Sequence, residues 1–75
     1  MDIRDKLNSI FQEVFKDDTI KIKPETTAND IEGWDSFSHV TLIVAIELRF
    51  NIKFNLKEIM SFKNVGDLMR CIEKK

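Results

Sequence analysis

A chain of 75 residues with a formal charge of −1 and one cysteine has room for one small domain, but not for an internal disulfide or a Cys/His zinc site. Lys21, Lys23, Lys74 and Lys75 are too scattered to form the basic stripe of a nucleic-acid binder, and the longest apolar run, Leu42 to Ile46, is far too short to span a membrane. The fold must rest on aliphatic residues and six phenylalanines, and at this size about 3–5 kcal/mol of stability is expected.

The opening residues, Met1-Asp2-Ile3-Arg4, lack the apolar stretch of a secretory signal. A lone thiol suits a reducing compartment, so a cytoplasmic location is expected. Ile3, Leu7, Ile10, Phe11 and Val14 recur at helical spacing, with Asp2 placed to cap the helix and Asp5 three residues on. Phe15 widens the stripe, and Lys16-Asp17-Asp18 ends it. From Lys16 to Trp34 the chain reads as a long connection. Ile20 and Ile22 alternate with lysines, as in a brief extended piece that Pro24 stops. Ile31 and Trp34 are expected to pin this loop onto the helices, and Gly33 supplies backbone freedom just before the next one.

Ser36 to Phe50 predicts a second helix that is apolar on more than one face. Phe37, Val40, Val44 and Leu48 make one stripe; Leu42, Ile43, Ile46 and Phe50 fill much of the rest. A helix apolar nearly all round is expected at the centre of the structure, touching several partners. Asn51 is a C-terminal stop. Asn55-Leu56-Lys57-Glu58 has the spacing of a capping box that opens a short helix expected to bury Leu56, Ile59 and Met60. Asn64-Val65-Gly66-Asp67 opens a last helix, with Val65, Leu68, Met69 and Ile72 on one face and Phe62 anchoring the turn before it. The expected architecture is all-α, four helices in one domain over 1–75, with a long loop between the first two.

The candidate chemistry sits at Trp34-Asp35-Ser36-Phe37, where a serine hydroxyl meets the start of the most apolar helix. Backbone N–H groups there have no helical partner, and the positive end of the helix dipole favours a negative group on the hydroxyl, above all a phosphate ester. Asp35 or Ser36 could also simply cap the helix. Ser36 and His39 are three apart and could share a face, but no acid to orient the histidine and no oxyanion donors accompany them, so catalysis is not expected. His39 reads as a solvated surface residue in contact with whatever Ser36 carries. Cys71 reads as a half-buried small hydrophobe and Met60 and Met69 as core residues. Asp30, Glu32 and Asp35 lack the spacing of a calcium loop, and no metal is expected.

Over essentially its full length the chain resembles the acyl carrier proteins. The residues that carry the resemblance are Ala28-Asn29-Asp30-Ile31-Glu32-Gly33-Trp34-Asp35-Ser36-Phe37, then Val40, Leu42-Ile43, Ala45-Ile46-Glu47 and Phe50, then Val65-Gly66-Asp67-Leu68. Asp35-Ser36-Phe37 matches the family's Asp-Ser-Leu motif with Phe for Leu. The resemblance implies a four-helix bundle of acyl-carrier-protein type in which Ser36 is the attachment point for 4′-phosphopantetheine. The arm would come from coenzyme A through a phosphopantetheinyl transferase (holo-ACP synthase) with Mg²⁺, and Asp35 would belong to the motif that is modified. A negative charge at that helix terminus is worth about 0.3–1 kcal/mol.

The arm's thiol would carry acyl groups as thioesters to enzymes of fatty-acid, lipid or polyketide biosynthesis. The second helix departs from the family pattern, with Glu47 and few other acids where basic partners usually bind. Its partners are therefore expected to differ from the usual fatty-acid enzymes or to dock through apolar contacts such as Phe37 and Val40, with Glu47 as the remaining acid. Phe37, Ile46, Ile59 and Met60 are the candidate lining of an acyl pocket. A monomer is expected. An unmodified helical interaction module is the alternative, and it would tolerate loss of the Ser36 hydroxyl.

Overall fold

A computed structural model describes residues 2–75. Four α-helices follow one another: α1 Ile3–Phe15, α2 Ser36–Phe50, α3 Leu56–Ser61 and α4 Val65–Glu73. A single 3₁₀ turn, Ala28–Asp30, lies in the loop between α1 and α2. No strand occurs among the described residues.

The helix ends follow local chemistry. Asp2 Oδ1 accepts the Asp5 N–H at 2.9 Å at the start of α1, and Asn64 Oδ1 accepts the Asp67 N–H at 2.9 Å at the start of α4. Asn55 and Glu58 bond reciprocally, at 2.8 and 2.9 Å, so α3 opens on the capping box that its sequence predicts. At α4 the box is only half made, because Asp67 Oδ2 accepts from Lys63 N–H instead of closing back on Asn64. Asn51 ends α2 in the left-handed region at φ 55°, a conformation that asparagine tolerates better than most residues.

One buried cluster holds the helices together. Leu7, Ile10 and Phe11 of α1 meet Leu42, Ile43 and Ile46 of α2 and Val65, Leu68 and Ile72 of α4, and Ile22, Ile31 and Phe54 enter it from the connections. Phe54 is a core residue that the helical periodicities alone do not reveal, because it lies between elements.

The long loop is tied down by side chains of α1 and by the start of α4. The expected extended piece at 20–23 forms no ladder; instead Asn8 accepts the Ile22 N–H at 2.7 Å and donates to the Ile20 carbonyl at 3.2 Å. Gln12 donates to the carbonyls of Asp18 and Ile20. Val65 and Gly66, whose N–H groups have no partner within α4, donate to the carbonyls of Thr26 at 2.8 Å and Pro24 at 2.7 Å. A Cβ on Gly66 would stand 3.0 Å from the Pro24 oxygen, so a larger residue fits only if the loop moves away.

Two burial expectations are corrected. α2 does not sit at the centre: Leu42, Ile43 and Ile46 face the core, while Phe37 (82% exposed), Val40, Val44 and Leu48 (78% exposed) form an outward apolar stripe. In α3, Leu56 (70% exposed) and Met60 (77% exposed) lie outside and Ile59 is half-buried. Their i, i+3, i+4 spacing puts Leu56, Ile59 and Met60 on one stripe, but of the three only Ile59 packs against the buried cluster.

Candidate functional site

Ser36 is the first residue of α2, and its side chain is exposed. The backbone around it is fixed on both sides. Gly33 turns the loop at φ +88°, a value that residues with a side chain rarely adopt. Asp35 then caps the helix. Its carboxylate accepts the Ser38 N–H at 2.9 Å, and Ser38 Oγ accepts the Asp35 N–H at 2.8 Å. The same Ser38 hydroxyl donates to the Gly33 carbonyl at 2.7 Å. The Ser38 N–H, and to a lesser degree that of Phe37, hold the Asp35 carboxyl below its ordinary range. Asp35 and Ser38, not Ser36, therefore do the capping. Ser38 was missed as a site residue, although its Asp-x-x-Ser spacing is the signal that could have found it.

The consequence is a free hydroxyl. Among the described residues Ser36 Oγ makes no side-chain hydrogen bond, while the backbone that presents it is held by a closed ring of them.

Beside it opens a cleft of about 370 Å³ between the loop, the start of α2 and α3, lined by Ala28, Trp34, Asp35, Ser36, His39, Ile59, Met60, Phe62 and Lys63. Trp34 forms its inner wall, edge-on to Phe11 at 5.2 Å and near Phe15 at 6.1 Å, which is the loop anchor expected of it. His39 is not a solvated surface residue. It is half-buried, and both ring nitrogens are engaged, with the Trp34 indole and with the Ile59 carbonyl. No ring nitrogen is left to take a proton from Ser36, so the pair does not form a nucleophile and base.

The remaining candidates divide. Ile59 and Met60 line the cleft, but Phe37 and Ile46 do not. At about 100° per residue, the nine positions between Phe37 and Ile46 place them on opposite faces of α2, one in solvent and one in the core. Phe37 and Val40 stand exposed, in the outward stripe. Glu47 is turned inward: its carboxylate accepts the Phe54 N–H at 2.8 Å and ties the 51–55 connection to α2. It is half-buried, and one of its carboxylate oxygens is already engaged. Cys71 Sγ lies 3.3 Å from Glu58 Oε2, and burial together with that carboxylate pushes its thiol up, away from reactivity. No group of three metal-ligating side chains occurs among the described residues, nor is any helix long and apolar enough to cross a membrane.

The chain as a whole is similar to known proteins. A family described as the phosphopantetheine attachment site matches residues 5–72. The acyl carrier protein of Helicobacter pylori is 30% identical over 73 residues, covering 97% of this chain and 94% of that protein. The acyl carrier protein of Thermotoga maritima is 31% identical over 74 residues, covering 99% and 91%. The solution NMR structure of holo acyl carrier protein from Geobacter metallireducens superposes with a TM-score of 0.92 at 51% identity, over all of this chain and 86% of that one.

Proposed function

This chain belongs to the acyl carrier proteins, and from that premise we propose that Ser36 is where it bears the family's covalent 4′-phosphopantetheine. The observation that carries the assignment is the exposed, unbonded Ser36 hydroxyl on a backbone fixed by the Asp35–Ser38 box. The surroundings fit a phosphate with an organic arm. The first N–H groups of α2 favour a negative charge, the Lys63 side chain lines the same cleft, and Trp34, Ile59 and Met60 offer an apolar wall along it.

When attached, the group supplies a thiol that carries acyl chains as thioesters. The chain itself presents and shelters that arm and leaves bond-making to others, which makes it a shuttle and not an enzyme. Ser36 receives the arm from coenzyme A on a phosphopantetheinyl transferase with Mg²⁺, and Asp35 is the neighbour read with it in the motif. Acyl-transferring enzymes of fatty-acid, lipid or polyketide biosynthesis are the further partners, in the cytoplasm, met by a monomer folded as one domain. Phe37 and Val40, with Val44 and Leu48 behind them, are the docking contacts this reading favours, since Glu47 is spent internally.

Incubation with coenzyme A and a broad-specificity transferase, followed by intact-mass measurement, tests the assignment. One phosphopantetheinyl group should be gained by the natural chain and none by Ser36→Ala. Because the hydroxyl has no bond to lose, Ser36→Ala should melt at nearly the same temperature, and modification of that variant would place the arm elsewhere.

A further inference from the structure

The chain has one histidine and one tryptophan, and they are joined. Trp34 Nε1–H donates to His39 Nδ1 at 3.1 Å, with the two rings stacked at a centroid distance of 5.9 Å. An indole nitrogen can only donate, so Nδ1 must hold the lone pair and the imidazole proton must lie on Nε2. Nε2 then donates to the Ile59 carbonyl at 3.0 Å. That carbonyl belongs to the last turn of α3, where the helix supplies no N–H of its own. A single side chain of α2 thus fastens both movable walls of the cleft at Ser36, the loop through Trp34 and α3 through Ile59.

Of the two walls, α3 is the easier to displace. It has six residues and no fully buried one, and a helix that short is held by its contacts and not by its own propensity. Swinging it outward requires breaking the His39–Ile59 bond and exposing Ile59 and Phe62, whose ring sits 6.4 Å from that of His39.

We propose that His39 is a positioning residue that sets how far the cleft beside Ser36 opens, and thereby how well an apolar acyl chain on the arm is sheltered. Trp34 has two parts in this: it walls the cleft and it selects the His39 tautomer that can hold α3. The inference rests on Ser36 bearing the arm, and its test separates the two.

The first measurement uses the unmodified chain and needs no arm. Nitrogen NMR of the His39 ring should show the Nε2–H form. Amide exchange across α3 should quicken about tenfold in His39→Leu, the loss of roughly one hydrogen bond, with α1 and α4 unchanged. His39→Gln, whose amide can still donate to the Ile59 carbonyl, should remain within about threefold of the natural chain. Trp34→Phe keeps a ring but no N–H, and should loosen the loop more than α3.

The second measurement follows hydroxylamine cleavage of an octanoyl thioester on the loaded protein. It should be severalfold faster in His39→Leu and near normal in His39→Gln. An Nδ1–H tautomer, exchange that rises equally in every helix, a glutamine variant no better than leucine, or unaltered thioester cleavage would each overturn the proposal. A chain that accepts no arm is detected by mass beforehand. It refutes the carrier assignment and the sheltering role together, while the exchange data still decide whether His39 holds α3.

Discussion

The Glu47 carboxylate accepts the backbone N–H of Phe54 at 2.8 Å, and the Phe54 ring is buried edge-on to Phe62 at 5.7 Å. Glu47 is the only acid in α2, so turning it inward leaves the outward stripe of Phe37, Val40, Val44 and Leu48 without negative charge. Arg49, the one lysine or arginine of the helix, pairs with Glu13 of α1. The docking proposed for this face would be driven by apolar burial and screened little by salt. Raising the salt from about 50 to 500 mM should change the transferase KM for this chain by less than about twofold. Leu48→Glu should raise that KM about tenfold, by placing an unpaired charge in the buried interface. A steep salt dependence in the natural chain would contradict this picture.

Asn8 holds the loop by two bonds, to the Ile22 N–H and the Ile20 carbonyl, beside the buried Ile22 side chain. Asn8→Ala leaves the Ile22 N–H unpaired in a partly buried place, while the Ile20 carbonyl keeps its bond from Gln12, and should cost about 1–3 kcal/mol in urea unfolding. Asn8→Asp retains the acceptor but not the donor and should fall between the two.

Gly66 leaves too little room for a methyl group against Pro24. Gly66→Ala would gain helix propensity, but the 3.0 Å approach to a backbone oxygen must open and the 2.7 Å Gly66–Pro24 bond must lengthen. The net effect should be a loss of about 1–3 kcal/mol, seen as a lowered melting temperature. Equal or greater stability would show that the loop yields freely.

Acid should unfold the chain through its helix starts. Asp35 and Asp67 sit below their ordinary 3.8, held by the N–H groups of Ser38 and Lys63, and Glu58 sits below 4.5, held by that of Asn55. Lowered values in the folded state mean that the unfolded chain takes up protons first. This contribution is therefore complete above the ordinary values and is lost as the pH falls through the lower folded ones. Melting temperatures should be level down to about pH 5 and decline below about pH 4. In Asp35→Asn the decline should be shallower.

Much of the site was legible because it is made of short-range bonds. Asp2, Asn55 and Asn64 each reach an N–H three residues on, and the Asp35–Ser38 box spans the same distance. Contacts of that kind depend on spacing alone, so the start of α2, and with it the position of Ser36, could be read from the order of residues. The 3₁₀ turn at Ala28–Asp30 rests on a bond of the same reach, from Thr27 N–H to Asp30 at 2.9 Å, and its Thr-x-x-Asp spacing is the local signal for it.

What the amino-acid order alone determined is thus where the helices begin and end and which hydroxyl stands at the head of α2. Tertiary structure alone decided which side of α2 is inside. With apolar residues on opposite faces of that helix, its periodicity has no single direction, and the choice falls to what α1 and α4 can cover. The inward turn of Glu47 and the Trp34–His39–Ile59 chain follow from that choice, because their partners lie 5 to 20 residues apart and meet only once the helices have packed.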